Sequence, residues 1–254
     1  MKKMKLLLAL GIIAAVTIAT LGACASSEQK PTVPVIQNDL KSLKVGDITT
    51  FGTYPKYEED EKEPIEWRVL AVEDGKVLII TEKAIDCKRY NEEWAAVTWE
   101  TCTLRAWLND EFFNMAFNQS EKEIIMETKI ENQDNPVYDA QGGEITMDKV
   151  FLLSLEEAIK YFNLKKNSGE DKEWVYAFGD ACCCQPTEYA ISQGAEVFNI
   201  YQSTYFRNTL WWLRSPGSNN NFAAYVFSDG YVLCNGYGVN NEGRSVRPAL
   251  WIEP

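Results

Sequence analysis

An uncharged, mostly apolar stretch at residues 6–21 divides the chain into a short leader and a long remainder. Lys2, Lys3 and Lys5 precede it, and a basic segment followed by an apolar segment is typical of a secretory signal. An uncleaved membrane helix remains the alternative, although the stretch falls short of the ~20 apolar residues that span a bilayer. Both interpretations place the rest of the chain outside the cytoplasm.

The leader ends in Leu21-Gly22-Ala23-Cys24, small residues that run directly into a cysteine. This ending resembles the bacterial lipobox. The resemblance implies cleavage before Cys24, a diacylglycerol on its thiol, and a membrane partner reached through that lipid. Residues 1–23 are therefore predicted to be a lipoprotein signal peptide, and the mature chain is expected to be anchored on the outer side of the cell membrane.

The segment after Cys24 is small, polar and interrupted by Pro31 and Pro34, without a period of 2 or 3.6 residues. Such composition predicts a flexible tether, here residues 24–42. Residues 43–254 remain for folding. That length is enough for a substantial core and fits one domain.

The charge of the chain restricts its partners. Loss of residues 1–23 removes three lysines and no acid, which leaves 22 basic against 37 acidic residues, a net charge of −15. A surface of this sign repels phosphate backbones, so no nucleic-acid partner is predicted.

The chain contains no histidine. Catalysis by Ser-His-Asp or Cys-His systems, and most catalytic zinc sites, are thereby excluded. No pair of acids stands at a diagnostic spacing. We therefore predict no catalytic residues, no metal site, no cofactor and no enzyme activity.

Six cysteines follow Cys24, three of them consecutive at residues 182–184. Adjacent cysteines lack the spacing of a zinc knuckle. Disulfides are common in exported chains, and Cys87–Cys102 or a pair from the triple run to Cys234 are the candidates. The alternative is that the thiols act as small buried hydrophobes.

Apolar periodicity predicts strands at both ends of the folded part. Residues 43–55 are typical of a strand, and residues 65–72 alternate before Asp74-Gly75, after which residues 77–80 return. Asp-Gly between apolar runs is a strong hairpin signal. From residue 211 onward, short apolar runs separated by Gly and Asn predict further strands.

The middle of the chain predicts helices. Residues 98–117 carry an apolar stripe at helical spacing, with Thr98 or Thr101 as the cap. A second helix is expected at residues 121–130 after Ser120, then a buried strand at residues 150–153. Ser154 and Glu157 fit a capping box for a third helix through Phe162. The predicted class is α+β, with helices before a twisted antiparallel sheet.

These motifs resemble a bacterial family catalogued as domain of unknown function 6273. The resemblance is carried in chain order by VGD (45–47), FG (51–52), EPIEWRVL (63–70), TWE (98–100), LRAWLN (104–109), DKVFLLS (148–154), WWLRSPG (211–217) and VRPALW (246–251). It implies a domain over the whole folded part but no activity.

The C-terminal part also resembles the C-type-lectin-like fold in its formylglycine-generating-enzyme variety. Enzymes of that group use a pair of C-terminal cysteines for copper and oxygen chemistry. This chain has only Cys234 there. The resemblance therefore implies the fold, a C-type-lectin-like domain with short helices and a twisted antiparallel sheet, without the catalytic pair.

Within residues 215–247, small and aliphatic residues such as Ala223, Val226 and Val232 recur as a framework. Asn, Tyr, Phe and Ser stand between these framework residues. Such residues serve adaptable binding surfaces, since aromatics give rigid contact area and small polar groups give hydrogen bonds. The pattern resembles the variable region of proteins diversified by retroelements. The predicted ligand-binding residues are Asn219, Asn220, Asn221, Phe222, Tyr225, Phe227, Ser228, Tyr231, Asn235, Tyr237, Asn240 and Asn241. A fixed ligand face, or plain Asn/Gly turns, are the alternatives.

Arg105, Arg214 and Arg247 lie near tryptophans and invite two interpretations. Arg is suited to carboxylate recognition. Pairing with internal acids or stacking on core rings is favoured instead. Together these patterns predict a surface-displayed, non-catalytic lipoprotein that binds a protein or a glycan. A formylglycine-generating-type enzyme and a structural cell-envelope protein are the alternatives.

Overall fold

The computed structural model describes residues 40–57, 61–167, 174–198 and 207–254. The signal, Cys24 and most of the tether lie outside these residues. The described part belongs to a compact unit, Pro34–Pro254. In the described part of the chain, no helix is long and apolar enough to cross a membrane.

The fold is α+β, as predicted, with fifteen strands in the described residues. The strands are β1 Ile48–Pro55, β2 Lys62–Glu73, β3 Lys76–Thr81, β4 Asp86–Cys87, β5 Thr128–Ile130, β6 Thr146–Asp148, β7 Lys165–Lys166, β8 Val175–Phe178, β9 Val197–Phe198, β10 Asn208–Thr209, β11 Trp211–Pro216, β12 Phe222–Val226, β13 Tyr231–Gly238, β14 Ser245–Val246 and β15 Ala249–Ile252.

The helices are short, and most of them lie between strands β4 and β7 along the chain. They are α1 Thr103–Trp107, a π segment Leu108–Phe112, α2 Phe113–Ala116, α3 Gln119–Ile124, α4 Leu155–Phe162 and α5 Glu188–Ser192, with 3-10 turns at Leu40–Ser42 and Asp180–Cys182.

Two sheets carry the architecture. The first has the order β1-β2-β3-β15, so the last strand of the chain returns to the first hairpin. The second has the order β4-β14-β11-β12-β13-β8-β7. All its neighbours are antiparallel except β11 and β14, which are parallel. The second sheet is not formed by C-terminal residues alone, because its strands β4, β7 and β8 come from earlier parts of the chain.

Predictions that depend on residues close together in the sequence are confirmed. Asp74 and Gly75 both have positive φ and join β2 to β3, as a tight hairpin turn requires. Ser154 and Glu157 form the predicted capping box of α4. The helix ends at Asn163 in the left-handed conformation.

Other expectations were wrong at the helix starts. Cys102, and neither Thr98 nor Thr101, caps α1, because the two threonines bond each other in a turn before it. Asn118 caps α3 in place of Ser120. That helix ends at Ile124 because residues 128–130 pair as β5 with β6.

Residues 150–153 are buried, as predicted, but they form no strand. Only Phe151 makes an isolated bridge, to Ala249. The candidate disulfides do not form, since all six cysteines in the described residues are thiols. Their burial as small hydrophobes is the interpretation that fits, because four of the six are fully buried.

The core is rich in tryptophan, and each deeply buried indole has an acceptor. Trp67 donates to Phe51 O at 2.6 Å and Trp99 to Asp148 at 2.8 Å. Trp211 donates to Cys182 O and Trp212 to Lys88 O. Burying an indole N–H without a partner is costly, so these bonds fix how the two sheets and the helical segment meet.

Candidate functional site

The framework of residues 215–247 lies inside the protein, while most of the residues between lie outside. Ala223, Ala224, Val226, Val232 and Val246 are fully buried. Ten of the twelve predicted ligand residues are exposed or half-buried, the exceptions being Tyr225 and Ser228. The alternation seen in the sequence therefore corresponds to an alternation between core and surface.

The twelve residues do not form one patch. Tyr231 begins β13 and Tyr237 stands near its end. Six residues of extended chain separate their Cα atoms by roughly 20 Å. Phe227, Ser228 and Tyr231 therefore lie at the turn end of the β12–β13 hairpin, and residues 219–222, Tyr237, Asn240 and Asn241 lie at its open end.

At the open end, three residues form a surface that we call the Trp94 face: Trp94, Phe222 and Asn240. Tyr237 stands on the other side of the hairpin, because it pairs with Ala223, whereas Gly238, against which Trp94 lies, pairs with Phe222. Trp94 is 57% exposed and Tyr237 is 42% exposed. The rings of Trp94 and Phe222 meet edge to face at 5.6 Å. A Cβ on Gly238 would lie 2.9 Å from Trp94 and 3.7 Å from the Asn240 side-chain oxygen. Because residue 238 has no side chain, the Trp94 indole can lie against its backbone.

Trp94 is positioned by hydrogen bonds from its own loop to the hairpin. Asn91 N donates to Val239 O at 2.8 Å, and Val97 N donates to Asn220 O at 2.9 Å. The Asn220 side chain also donates to Gln141 O at 2.8 Å. Two loops distant in sequence thus fix the indole beside the hairpin, so the face is held in place rather than hanging on a free loop.

The remaining asparagines of the open end shape the backbone. The Asn219 side chain accepts from Asn221 N at 2.9 Å, and Asn221 O accepts from Val239 N. Asn235 O accepts from Ser218 N at 2.8 Å. Of this group, Asn219 is fully exposed. These contacts are typical of asparagine in turns, so part of the Asn content serves the turn itself.

Tyr225 and Ser228 are too deeply buried to contact a ligand directly. Ser228 is 1% exposed, and its carbonyl accepts from the Asn208 side chain. Tyr225 is buried, with its ring 6.0 Å from that of Tyr237. Tyr225 therefore supports Tyr237 from below, and Ser228 fixes a turn.

Arg244 lies against the rings of Tyr237 and Tyr225. Its guanidinium carbon is 4.1 Å from the ring centre of Tyr237 and 5.6 Å from that of Tyr225. Its Nη1 is 3.1 Å from a Glu196 carboxylate oxygen. The arginine side chain is 5% exposed, and that of Glu196 is 50% exposed.

The turn end carries a separate aromatic group. Tyr231 is 37% exposed, and its ring is 6.1 Å from that of Phe178 on β8. Trp174 is exposed farther along β13, beside its middle, where the Trp174 carbonyl accepts from Cys234 N. Phe227 is half-buried against Phe198 at 5.2 Å.

The three arginines considered in the sequence are internal, in agreement with the favoured interpretation. Arg214 binds Glu157 with both ends of its fork and also donates to Leu152 O. Arg105 Nε donates to the buried Asp148 at 2.6 Å. These bonds link the helical segment to the sheet.

Arg247 completes this set of structural arginines. It donates to Thr81 O, Cys182 O and Glu82 O. Its guanidinium lies 5.2 Å from the rings of Phe162 and Trp211. All of its nitrogens are used within the protein, which assigns it to the core.

The best-formed cavities lie away from the Trp94 face. One of about 510 Å³ is lined by Arg214, Glu157, Lys129 and Trp251, and one of about 320 Å³ by Tyr54, Ile65 and Thr187. Neither lining contains any of the twelve predicted residues. The polar floor of the larger cavity is the Arg214–Glu157 pair, in which both terminal nitrogens of Arg214 bond the Glu157 carboxylate.

The thiols are held protonated by their surroundings. Burial raises the pKa of Cys182 and Cys183 to about 12 and that of Cys234 to about 11. A thiol is nucleophilic and metal-binding only as the thiolate. Among the described residues, no group of three or more Cys, Asp or Glu is placed to hold a metal ion.

Sequence reasoning missed Trp94 and Arg244. Trp94 stands in a polar, aperiodic stretch between glutamates and alanines, and an isolated Trp in such a setting is a signal of exposure. Arg244 carries no comparable signal, since only the fold distinguishes it from Arg247.

The chain matches the model of one protein family over residues 74–254, described as a domain of unknown function, DUF6273. The matched range begins in the turn after β2, so the resembling stretches before residue 74 lie outside it. No curated protein and no solved structure matches the chain. Because the family model covers most of the chain, including both ends of the β12–β13 hairpin, the chain belongs to the DUF6273 family.

Proposed function

We propose that this chain is a surface-displayed, non-catalytic lipoprotein that binds a protein or glycan ligand through the Trp94 face. The observation that carries the proposal is an exposed indole, Trp94, which the hydrogen bonds of its loop hold in edge-to-face contact with Phe222 over buried residues of β12 and β13. Large exposed aromatics with polar neighbours are typical of binding surfaces, because they bring contact area at small entropic cost.

Anchoring rests on the leader. Cys24 would carry the lipid, and the tether would hold the domain away from the outer side of the membrane. These residues lie outside the described part of the chain. The net charge of −15 after removal of residues 1–23 favours a soluble domain that is repelled by anionic headgroups, which suits a tethered display.

The finer fold assignment belongs to the same proposal. We assign a C-type-lectin-like fold of the formylglycine-generating-enzyme variety, in the form found among retroelement-diversified proteins. One feature supports it: β15 closes the chain against the first hairpin.

Diversification of the face follows from the same alternation. The exposed positions carry Asn, Tyr and Phe while the framework is buried, so the exposed side chains are replaceable without loss of core. Deep resequencing of the 3′ end of the gene, in a population descended from one cell, tests this. Changes confined to the codons for residues 218–241 would support it; unchanged codons while a neighbouring reverse transcriptase is expressed would reject it.

The enzyme alternative has little support in the site. It needs Cys234 and a second thiol from residues 182–184 as thiolates, whereas burial raises the pKa of these thiols. Copper loading of the purified chain tests it directly, and stoichiometric copper would favour the enzyme.

The experiment for ligand binding compares two exposed aromatic residues at the open end of the hairpin. The full chain is applied to glycan and protein arrays, and each hit is retested with Trp94→Ala and Tyr237→Ala. Trp94 and Tyr237 are both exposed but lie on opposite sides of the hairpin. Loss of binding in Trp94→Ala alone, with unchanged melting temperature, supports the Trp94 face. A marked loss of stability in Trp94→Ala would favour a packing role in a structural envelope protein.

A further inference from the structure

Two half-buried acids of β2 have no partner within the protein. The side chains of Glu63 and Glu66 make no hydrogen bond and no ion pair among the described residues. Every other acid that is buried or half-buried in those residues has a polar partner. The partnered acids are Asp47, Glu82, Asp86, Glu121, Asp148, Glu157 and Asp229. Burying a charge without a partner is unfavourable, so Glu63 and Glu66 indicate cationic groups from outside the polypeptide.

Both acids line the same cavity, the one of about 320 Å³ that also contains Tyr54. Ligand sites usually measure roughly 300–1,000 Å³, so this cavity suits a small molecule. Its wall includes the buried side chains of Ile65 and Ile85, which are apolar. The Tyr54 hydroxyl donates to Asp86 at 2.6 Å, which fixes that part of the wall before any ligand enters.

The cavity lies at a free edge of β2. Strand β3 pairs with β2 only from Trp67 onward, and before that point one bond, from Glu82 N to Glu66 O, joins the two segments. Lys83, which follows β3, lines the cavity from the other side of this edge. Alternate side chains leave opposite faces of a strand, and both faces meet at its edge. Glu63 and Glu66, three positions apart, can therefore line one cavity.

Lys83 brings the opposite charge to the cavity. It is exposed and makes no hydrogen bond and no ion pair among the described residues. Lys83 and Glu63 also line a neighbouring cavity of about 300 Å³, which Glu66 does not line. The charges therefore run from a mixed end, at Glu63 and Lys83, to an acidic end at Glu66.

We propose that this cavity binds a dibasic amino acid such as lysine. Lys83 binds its carboxylate, Glu63 its α-ammonium group and Glu66 the ammonium group of its side chain, while the methylene chain packs on Ile65 and Ile85. Three charges of the ligand then meet three charges of the protein that have no other partner. A diamine leaves Lys83 without a partner, and a neutral amino acid leaves Glu66 without one. This site is separate from the Trp94 face and does not depend on the proposed function.

Calorimetry on the full chain tests each charge with three probes: lysine, Nε-acetyllysine, and cadaverine, which lacks the carboxylate. Lysine should bind most tightly. Glu66→Gln should lower the affinity for lysine roughly tenfold or more, because a bond between charged groups is lost, and should leave that for acetyllysine unchanged. Lys83→Gln should weaken binding of lysine and acetyllysine but not of cadaverine. Glu63→Gln should weaken binding of all three.

Matched controls carry the same charge changes outside the cavity. Glu61 pairs with Lys56 at the surface, and Lys76 begins β3 at the far end of the β2–β3 hairpin. Neither Glu61 nor Lys76 lines either of the two cavities. Glu61→Gln and Lys76→Gln should change the affinity for lysine only by the modest effect of net charge, which added salt removes.

Melting temperatures give a second readout. Glu66→Gln has no side-chain bond to lose within the described residues, so its melting temperature should equal or exceed that of the wild type. Lysine should raise the melting temperature of the wild type and do so less in Glu66→Gln, because a ligand that binds the folded state stabilises it.

Each contrary result overturns the inference in a distinct way. Absence of lysine binding to the wild type, by calorimetry and by melting, overturns the assignment of the cavity. Equal affinities for lysine and cadaverine, unchanged in Lys83→Gln, replace the amino acid by a diamine. Equal losses for lysine and acetyllysine in Glu66→Gln remove the second ammonium site. A marked fall in the melting temperature of Glu66→Gln would show that this acid serves the fold and not a ligand.

Discussion

Arg244 and Arg247 flank the short strand β14, yet they serve different regions of the molecule. Arg247 lies in the core, donates to three backbone carbonyls and stacks on Phe162 and Trp211. Arg244 lies between tyrosine rings at the edge, with one half-exposed glutamate as its charge partner. The difference teaches that burial alone does not show how much an arginine contributes to the fold; the number of its nitrogens that bond within the protein does.

The largest expected effect tests the structural side of the comparison. Arg247→Gln takes the guanidinium donor from Thr81 O, whereas Glu82 O keeps the Cys184 thiol and Cys182 O keeps the Trp211 indole. We expect the free energy of unfolding to fall by about 3 kcal/mol, measured by urea denaturation. Arg207→Gln, at an exposed pair, should cost less than about 0.5 kcal/mol. Equal small losses in both variants would contradict the assignment of Arg247 to the core.

The next effect concerns the Arg214–Glu157 pair. Glu157→Gln can keep the capping box of α4 but leaves the buried guanidinium without its charge partner, so we expect a loss of about 2 kcal/mol. Glu121→Gln is the matched control, because Glu121 closes the other capping box. Thermal melting of both variants makes the measurement. A loss in Glu121→Gln as large as in Glu157→Gln would show that the cap, not the ion pair, matters.

Arg244→Gln should cost less stability than either of these changes. Its charge partner is half exposed, and two of its nitrogens have no hydrogen bond to lose within the described residues. We expect about 1 kcal/mol or less, from the lost stacking on Tyr237 and Tyr225. Denaturation beside Arg247→Gln gives the comparison. A loss equal to that of Arg247→Gln would make Arg244 a structural residue.

The smallest stability effect is predicted for Gly238→Ala. The added methyl group would meet the Trp94 ring at 2.9 Å and displace it, while the backbone at residue 238 is compatible with alanine. Stability should change by no more than about 0.5 kcal/mol, whereas ligand binding should weaken. In a Trp94→Ala background the same change should have no further effect on binding, which a double-mutant cycle measures. Independent, additive effects would show that Gly238 does not act through Trp94.

The features that the sequence predicted well are set by near neighbours. The turn at Asp74-Gly75 and the capping box of Ser154 and Glu157 depend on residues within a few positions. The alternation of buried framework and exposed Asn, Tyr and Phe follows from the period of a strand. These features could therefore be predicted without knowledge of the fold.

The features that the sequence did not predict depend on distant contacts. Trp94 joins the site because residues 91 and 97 bond to the hairpin more than 100 positions later. Cys102 replaces the expected threonine caps because Thr98 and Thr101 bond each other. Tyr225 is buried because Arg244 and Tyr237 cover it. No local pattern encodes these pairings.

Two exposed tryptophans allow the most direct test of the central claim. Trp94 belongs to the Trp94 face, and Trp174 lies beside the middle of β13, next to Cys234. The affinity of a ligand identified on the arrays is measured for Trp94→Ala and Trp174→Ala, together with the melting temperature of each. Our account predicts at least about a tenfold loss in Trp94→Ala, as expected for a central aromatic anchor, and none in Trp174→Ala. Retained binding in Trp94→Ala, or loss confined to Trp174→Ala, would contradict it.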